Sequence, residues 1–141
     1  MGVAFGLLLM LGLLFLSALL SGSEVAYFSL SPQDRERLES EKSKSSDRAI
    51  DLLNKPKTLL ATILIGNNLV NVAIIILSTF LMDMMFDFAG RELVAFLIQV
   101  IAVTLIILIV GEITPKVYAT KQAYQLTLIA SYPLLFMRKL F

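Results

Sequence analysis

The sequence predicts an all-α membrane protein with three transmembrane helices, on two observations. Hydrophobic residues make up 57% of the 141 residues, whereas soluble domains hold about 45–50% apolar residues. The excess lies in three long runs, each close to the ~20 residues that a helix needs to cross a ~30 Å hydrocarbon layer. We therefore expect spans at about 3–30, 58–82 and 93–115 of a single transmembrane domain, 1–141.

The first span carries no charged residue before Glu24. A cleaved signal peptide is the alternative, but a basic n-region is missing and two further spans follow. The helix is expected to continue through Ser21-Gly22-Ser23-Glu24. Ser17, Ser21 and Glu24 are spaced at i, i+4 and i+7, which places them on one helical face.

A charged connector, 31–57, follows the first span and holds six acidic and seven basic residues. Ser31-Pro32 is typical of a helix start. We expect one or two short amphipathic helices outside the membrane, ending at Asn54-Lys55-Pro56.

The remaining segments are less regular. Gly66-Asn67-Asn68 and Asn71 interrupt the apolar run of the second span. A short polar loop, which includes Asp83 and Asp87, leads to the third span. The tail, 116–141, is expected to be an interfacial amphipathic helix that Pro133 interrupts.

Topology is predicted from the distribution of lysine and arginine. The connector carries seven of these residues, the tail four, the loop before the third span one and the N-terminus none. Three spans place the connector and the tail on the same side. We therefore expect a multi-pass protein of the cell membrane with its N-terminus outside and its C-terminus in the cytoplasm.

The motif at the end of the third span, Ile109–Lys116, is the most informative stretch. Glu112 is a carboxylate at or near membrane depth, and an intramembrane carboxylate is a functional hypothesis by default. Pro115 has no N–H, so the carbonyl of Gly111, four residues earlier, loses its helical partner. Lys116, one turn away, could neutralise Glu112 when no ion is bound.

The polar residues of the spans offer only oxygen ligands. The chain has no cysteine and no histidine, which excludes thiolate and imidazole metal sites and the usual nucleophile–base pairs. Hydroxyl, amide, carbonyl and carboxylate oxygens suit Mg²⁺, Ca²⁺ or Na⁺. The alternative is structural, because serine, glycine and asparagine also pack and hydrogen-bond membrane helices, and Glu24 could be solvated at the surface.

Three motifs in order, S-G-S-E, G-N-N and G-E-I-T-P-K, closely resemble the transmembrane domain of the CorC/CNNM (cyclin M, hemolysin-C-like) family. The resemblance covers essentially the whole chain. It implies a homodimeric three-span domain that binds Mg²⁺ near its middle and exports it, with Na⁺ as the expected counter-ion. Full-length members also carry cytosolic ATP-binding modules and a small C-terminal domain, which this chain, ending at Phe141, is expected to lack.

The resemblance also supports particular residues. The implied Mg²⁺ ligands are Ser17, Ser21, Asn68, Gly111 (through its carbonyl) and Glu112. Residues expected to surround them are Glu24, Asn67, Asn71, Pro115 and Lys116. The choice between Asn67 and Asn68 depends on local helix winding and stays open.

Two other functions compete with Mg²⁺ transport. The domain could sense Mg²⁺ or act as a membrane scaffold without moving the ion, or its polar cluster could simply hold a dimer together. We expect no enzymatic activity, although a Glu24–Glu112 carboxylate pair is a weak candidate. Membrane lipid and a second copy of the chain are the expected partners, and no nucleic-acid partner is expected.

Overall fold

The structure is a computed structural model that describes residues 2–86 and 90–140. Within those ranges every regular element is a helix, which confirms the all-α prediction. The predicted loop residue Asp87 lies outside the described residues, as does Phe141. The elements are α1 (Val3–Phe28), α2 (Pro32–Ser40), α3 (Lys44–Leu53), α4 (Pro56–Met85), α5 (Glu92–Ile106), a π-helical segment (Ile107–Ile113), α6 (Thr114–Lys121) and α7 (Ala123–Leu140).

Among the described residues, three helices are long and apolar enough to cross a membrane: Val3–Phe28, Pro56–Met85 and Glu92–Lys121. They match the three predicted spans. The third is longer than predicted, since it joins α5, the π-helical segment and α6 and continues to Lys121. Pro115 lies where the π-helical segment passes into α6, inside this continuous helix.

The polar residues inside the second span do not break its helix, because α4 continues unbroken for 30 residues. The predicted interruption is one of polarity only. Gly66 lies at a close contact, since a Cβ there would lie 3.2 Å from the Met137 sulfur and 3.4 Å from a Leu20 methyl. The lack of a side chain at Gly66 thus lets α1 and α7 approach α4.

The connector forms two short helices, α2 and α3, as expected. The Ser31 hydroxyl accepts a hydrogen bond from the backbone N–H of Asp34 at 3.1 Å, which caps α2 at the predicted start. Leu38, Ala49 and Leu52 are completely buried and join the core. The connector is therefore packed onto the bundle through one apolar face.

Residues 116–121 of the predicted tail belong to α6 and therefore to the third span. The rest of the tail forms one helix, α7, that packs against α1, α3 and α4. The predicted interruption at Pro133 is wrong, because the helix continues through it to Leu140. Proline removes one backbone hydrogen bond there, but the neighbouring Ala130 and Leu134 are buried in the core and hold the helix in place. Tyr27 of α1 also donates a hydrogen bond to the Thr127 carbonyl at 2.6 Å.

The first half of the third span, α5, lies on the outside of the bundle, since none of its residues is buried. Its polar link to α4 is Gln99, whose amide donates to the hydroxyls of Ser78 and Thr79 at 3.1 and 2.5 Å. The exposed surface of α5 is apolar, including Leu93, which is 70% exposed. Such a surface suits contact with lipid or another apolar helix.

Candidate metal centre

The centre of the bundle contains two hydroxyls from one face of α1. Ser17 and Ser21 are both fully buried, and Glu24, three residues beyond Ser21, is half-buried. The helical face predicted from their i, i+4 and i+7 spacing is therefore buried in the bundle at Ser17 and Ser21. Glu24 lies nearer the edge of the bundle.

Ser17 meets two amides of α4. Its hydroxyl lies 3.2 Å from the Asn67 Oδ1 and 3.0 Å from the Asn71 Oδ1. A serine hydroxyl has one proton to donate, so it can satisfy only one of these two carbonyl oxygens at a time. Three oxygens thus converge where a single proton is available, which is an arrangement that a cation would stabilise.

The third span contributes its backbone to the same point. A Cβ placed on Gly111 would lie 2.9 Å from the Ser17 hydroxyl oxygen, so only glycine allows the two helices to approach this closely. Gly111 is buried and lies inside the π-helical segment. π-helical turns are rare and often occur at functional sites. The π-helical winding and the close approach to Ser17 both occur at Gly111, which makes this position a candidate functional site.

The π-helical segment accommodates the proline that follows it. The backbone N–H of Thr114 bonds to the carbonyl of Ile109, five residues earlier. Pro115 has no N–H for the Gly111 carbonyl. The motif therefore departs from a regular α-helix by widening, and the helix continues through Pro115.

A second glycine brings α1 against Pro115. A Cβ on Gly22 would lie 3.3 Å from the Pro115 carbonyl oxygen and 2.9 Å from a methyl of Leu126. Gly22 follows Ser21 directly, so the close contact between α1 and the start of α6 lies beside the buried hydroxyls. Pro115 thus packs directly against α1, at the residue that follows Ser21.

Ser21 has an unused hydroxyl. Its oxygen is buried and, among the residues that the structure describes, has no hydrogen-bond partner. A buried polar atom without a partner is costly and calls for an explanation, such as a water or an ion. The orphaned oxygen lies one helical turn from Ser17, which makes it a candidate fourth neutral ligand.

The remaining predicted residues are less enclosed. Asn68 is exposed on α4, whereas its neighbour Asn67 is half-buried and touches Ser17. Glu112 and Lys116 are both half-buried. The described part of the chain has no ion pair between them, so the expected neutralisation of Glu112 by Lys116 is not observed.

Asn71 is better placed than the sequence suggested. It was predicted only as a surrounding residue, yet its amide makes the shorter of the two contacts with Ser17. The signal was present in the sequence, because Asn67 and Asn71 are four residues apart and share a helical face, whereas Asn68 points about 100° away.

The described residues contain no group of three or more acidic, histidine or cysteine side chains able to hold a metal. Any cation at this centre would therefore rely mainly on neutral oxygens. Two carboxylates flank the centre along the chain: Glu112 follows Gly111, whose backbone lies against Ser17, and Glu24 lies three residues beyond Ser21.

Comparison with known proteins identifies the domain. A family model described as the cyclin M transmembrane N-terminal domain (CNNM) matches residues 8–141. The chain belongs to this family. The resemblance carried by the three motifs is therefore confirmed, and a CNNM membrane domain accounts for the three long apolar helices.

Bacterial relatives of this CNNM domain agree with the assignment. It is 34% identical over 128 residues to a UPF0053 protein of Haemophilus influenzae, covering 91% of this chain and 29% of that protein. It is 31% identical over 113 residues to the UPF0053 inner membrane protein YfjD of Escherichia coli, covering 77% of this chain and 25% of that protein. The chain thus spans less than a third of the length of these curated relatives.

Proposed function

We propose that this domain transports Mg²⁺ through an intramembrane site made of oxygen ligands. The observation that carries the proposal is the convergence of the Ser17 hydroxyl and the Asn67 and Asn71 carbonyls, with one proton between them. The orphaned Ser21 hydroxyl supplies a further neutral oxygen. Hard cations such as Mg²⁺ prefer this donor set.

Glu112 is the proposed anionic ligand, and the backbone carbonyl of Gly111 is the proposed neutral ligand from the third span. Mg²⁺ is strongly hydrated and usually keeps several waters when bound through one or two carboxylates. A single carboxylate among neutral oxygens would hold the ion without trapping it. Glu24 and Lys116 would adjust the local charge from the edge of the site.

Release requires the helices around the site to rearrange. The π-helical turn and the contact between Gly22 and Pro115 are the proposed hinge, because both lie beside the ligands on different helices. Efflux driven by inward Na⁺ flow is the proposed direction, since each charge that crosses 100 mV is worth about 2.3 kcal/mol. This direction rests on the family resemblance and on the predicted cytoplasmic C-terminus.

A homodimer completes the proposal. The exposed apolar face of α5 supports it, because helices of this kind bury such faces against lipid or against another helix. Cytosolic ATP-binding modules, which the resemblance associates with full-length members, would regulate the transporter in the longer protein. No enzymatic activity is proposed.

The first experiment measures thermal stability of the purified protein in detergent against Mg²⁺, Ca²⁺ and Na⁺. A ligand that binds only the folded state stabilises it, by about 2.7 kcal/mol at a concentration of 100 times Kd. Mg²⁺ should stabilise the protein selectively, and Glu112→Gln should remove that effect. Unchanged Mg²⁺ affinity in Glu112→Gln would rule out Glu112 as a ligand.

Two adjacent asparagines provide a matched pair of variants. Asn67→Ala should weaken Mg²⁺ binding because Asn67 faces Ser17. Asn68→Ala should leave the affinity within about twofold, because Asn68 is exposed and a lost surface contact costs less than about 0.5 kcal/mol. The reverse result would favour the ligand set implied by the resemblance and would contradict the arrangement around Ser17.

The alternative function is Mg²⁺ sensing or scaffolding without transport. The same oxygen site supports this alternative, because a cation bound there would stabilise the bundle whether or not the cation is then transported. Mg²⁺ flux into or out of proteoliposomes distinguishes the two. Mg²⁺-dependent stability without flux, in the full-length protein, would establish the alternative.

A further inference from the structure

A groove between α4 and α7 lies away from the metal centre. It encloses a cavity of about 320 Å³. We call it the α4–α7 groove; it is lined by Lys57, Thr58, Ala61, Thr62, Ile65 and Arg138. Two cationic side chains thus accompany a mostly apolar wall.

Arg138 is only partly satisfied by the protein. One nitrogen of its guanidinium group, Nη2, forms an ion pair with the Asp51 carboxylate at 2.8 Å. The other, Nη1, is buried and has no partner among the described residues. The guanidinium group lines the groove and uses only part of its hydrogen-bonding capacity on Asp51.

The opposite wall also favours an anion. Lys57 lies in the first turn of α4, where no side chain caps the helix. The unpaired N–H groups of that turn carry partial positive charge. Lys57 makes no ion pair within the described part of the chain. The one ion pair that the described residues show for the groove's two cationic residues joins Arg138 to Asp51, which is not itself a lining residue.

The shape of the groove distinguishes a lipid from a soluble anion. From Lys57 the wall follows α4 through Ala61 to Ile65, which is 45% exposed. These residues lie in the first three turns of a membrane span. An occupant with a charged head at Lys57 and an apolar body along Ala61 and Ile65 matches this order, whereas a free anion would leave the apolar wall uncovered.

We propose that the α4–α7 groove binds an anionic phospholipid. Its phosphate would accept hydrogen bonds from the Arg138 guanidinium group and the Lys57 ammonium, as arginine and lysine commonly bind phosphate. Its acyl chain would follow Ala61 and Ile65. The site needs only the membrane placement of α4; that it faces the cytoplasmic leaflet rests on the proposed topology.

The test uses the purified protein in detergent, titrated with phosphatidylglycerol or with phosphatidylcholine of the same acyl chains. Thermal unfolding is the readout. Phosphatidylglycerol should stabilise the protein at lower concentrations than phosphatidylcholine. Lys57→Gln should reduce that preference by roughly five- to tenfold, as expected for one lysine at a membrane surface.

Lys139→Gln is the matched control. It also removes one positive charge and is adjacent to Arg138, but it lines a different cavity, with Arg48 and Tyr132. It should change the lipid preference by less than about twofold, as surface substitutions usually do. Arg138→Lys keeps a cation for Asp51 and removes the second guanidinium nitrogen, so it should resemble Lys57→Gln.

Several results would overturn the proposal. Equal losses in Lys57→Gln and Lys139→Gln would mean diffuse attraction to a basic surface. Removal of the phosphatidylglycerol effect by millimolar inorganic phosphate would mean a soluble-anion site. No lipid preference in the unmodified protein would mean that the groove is not a headgroup site. Stabilisation by Mg²⁺ should persist in Lys57→Gln, so failure here is distinguishable from failure of the transport proposal.

Discussion

Replacement of Gly111 by alanine tests the close approach at the centre of the bundle. The new Cβ would lie 2.9 Å from the Ser17 hydroxyl oxygen but 3.6 Å from the Ser17 Cβ. Only the hydroxyl is therefore in conflict. To relieve the contact, the Ser17 side chain must rotate or the third span must move away from α1, and either change separates the hydroxyl from Asn67 and Asn71.

The expected magnitude follows from two opposing effects. Overpacking of this kind typically costs about 1–3 kcal/mol. An alanine in a helix gains about 1 kcal/mol over glycine from intrinsic propensity. Gly12→Ala isolates the second effect, because a Cβ on Gly12 would have no atom within 4 Å. Relative to Gly12→Ala, Gly111→Ala should therefore destabilise the protein by about 1–3 kcal/mol.

The assay is reversible unfolding in mixed micelles, carried out on a double-mutant cycle. In a Ser17→Ala background the conflicting oxygen is absent, and the remaining 3.6 Å separation is an ordinary contact. Gly111→Ala should then behave like Gly12→Ala, so the coupling energy should be about 1–3 kcal/mol. An equal cost of Gly111→Ala in both backgrounds would refute the close approach of these two residues.

Two further substitutions test how the other helices are held. Tyr27→Phe removes the 2.6 Å hydrogen bond to the Thr127 carbonyl and should lower the free energy of unfolding by about 1 kcal/mol; an unchanged value would mean that this bond does not fasten α7 to α1. Ser31→Ala removes the cap of α2 and should cost about 1 kcal/mol, measurable as faster hydrogen exchange at Asp34, with Ser29→Ala as the uncapped control.

The sequence was sufficient for the fold where local chemistry decides structure. Apolar runs of spanning length predicted the three long helices, and the capping serine at Ser31 predicted the start of α2. Pro133 was misjudged because proline's local penalty was weighed without the packing of Ala130 and Leu134, which only the folded bundle reveals. Tertiary contacts outweigh local preference at that position.

The candidate site was predictable in part. The facing pair Ser17 and Ser21 and the irregular winding near Gly111 follow from spacing and from Pro115. The preference for Asn67 and Asn71 over Asn68 depends on how α4 is rotated about its axis against α1, and residue types alone do not specify that rotation. The unpaired nitrogen of Arg138 could not be predicted from the sequence either, because it depends on how α7 packs beside the start of α4.

The position of the π-helical segment relates the proposed site to the proposed motion. A regular α-helix through Gly111 would leave one carbonyl without a donor at Pro115, whereas the wider turn redistributes the bonds, as in the Thr114–Ile109 contact. The same span packs weakly through α5, none of whose residues is buried. A span that lies tightly against α1 at Gly111 but loosely along the preceding helix, α5, can pivot through α5 without unpacking the core. The proposed alternate exposure of a bound ion requires a motion of this kind.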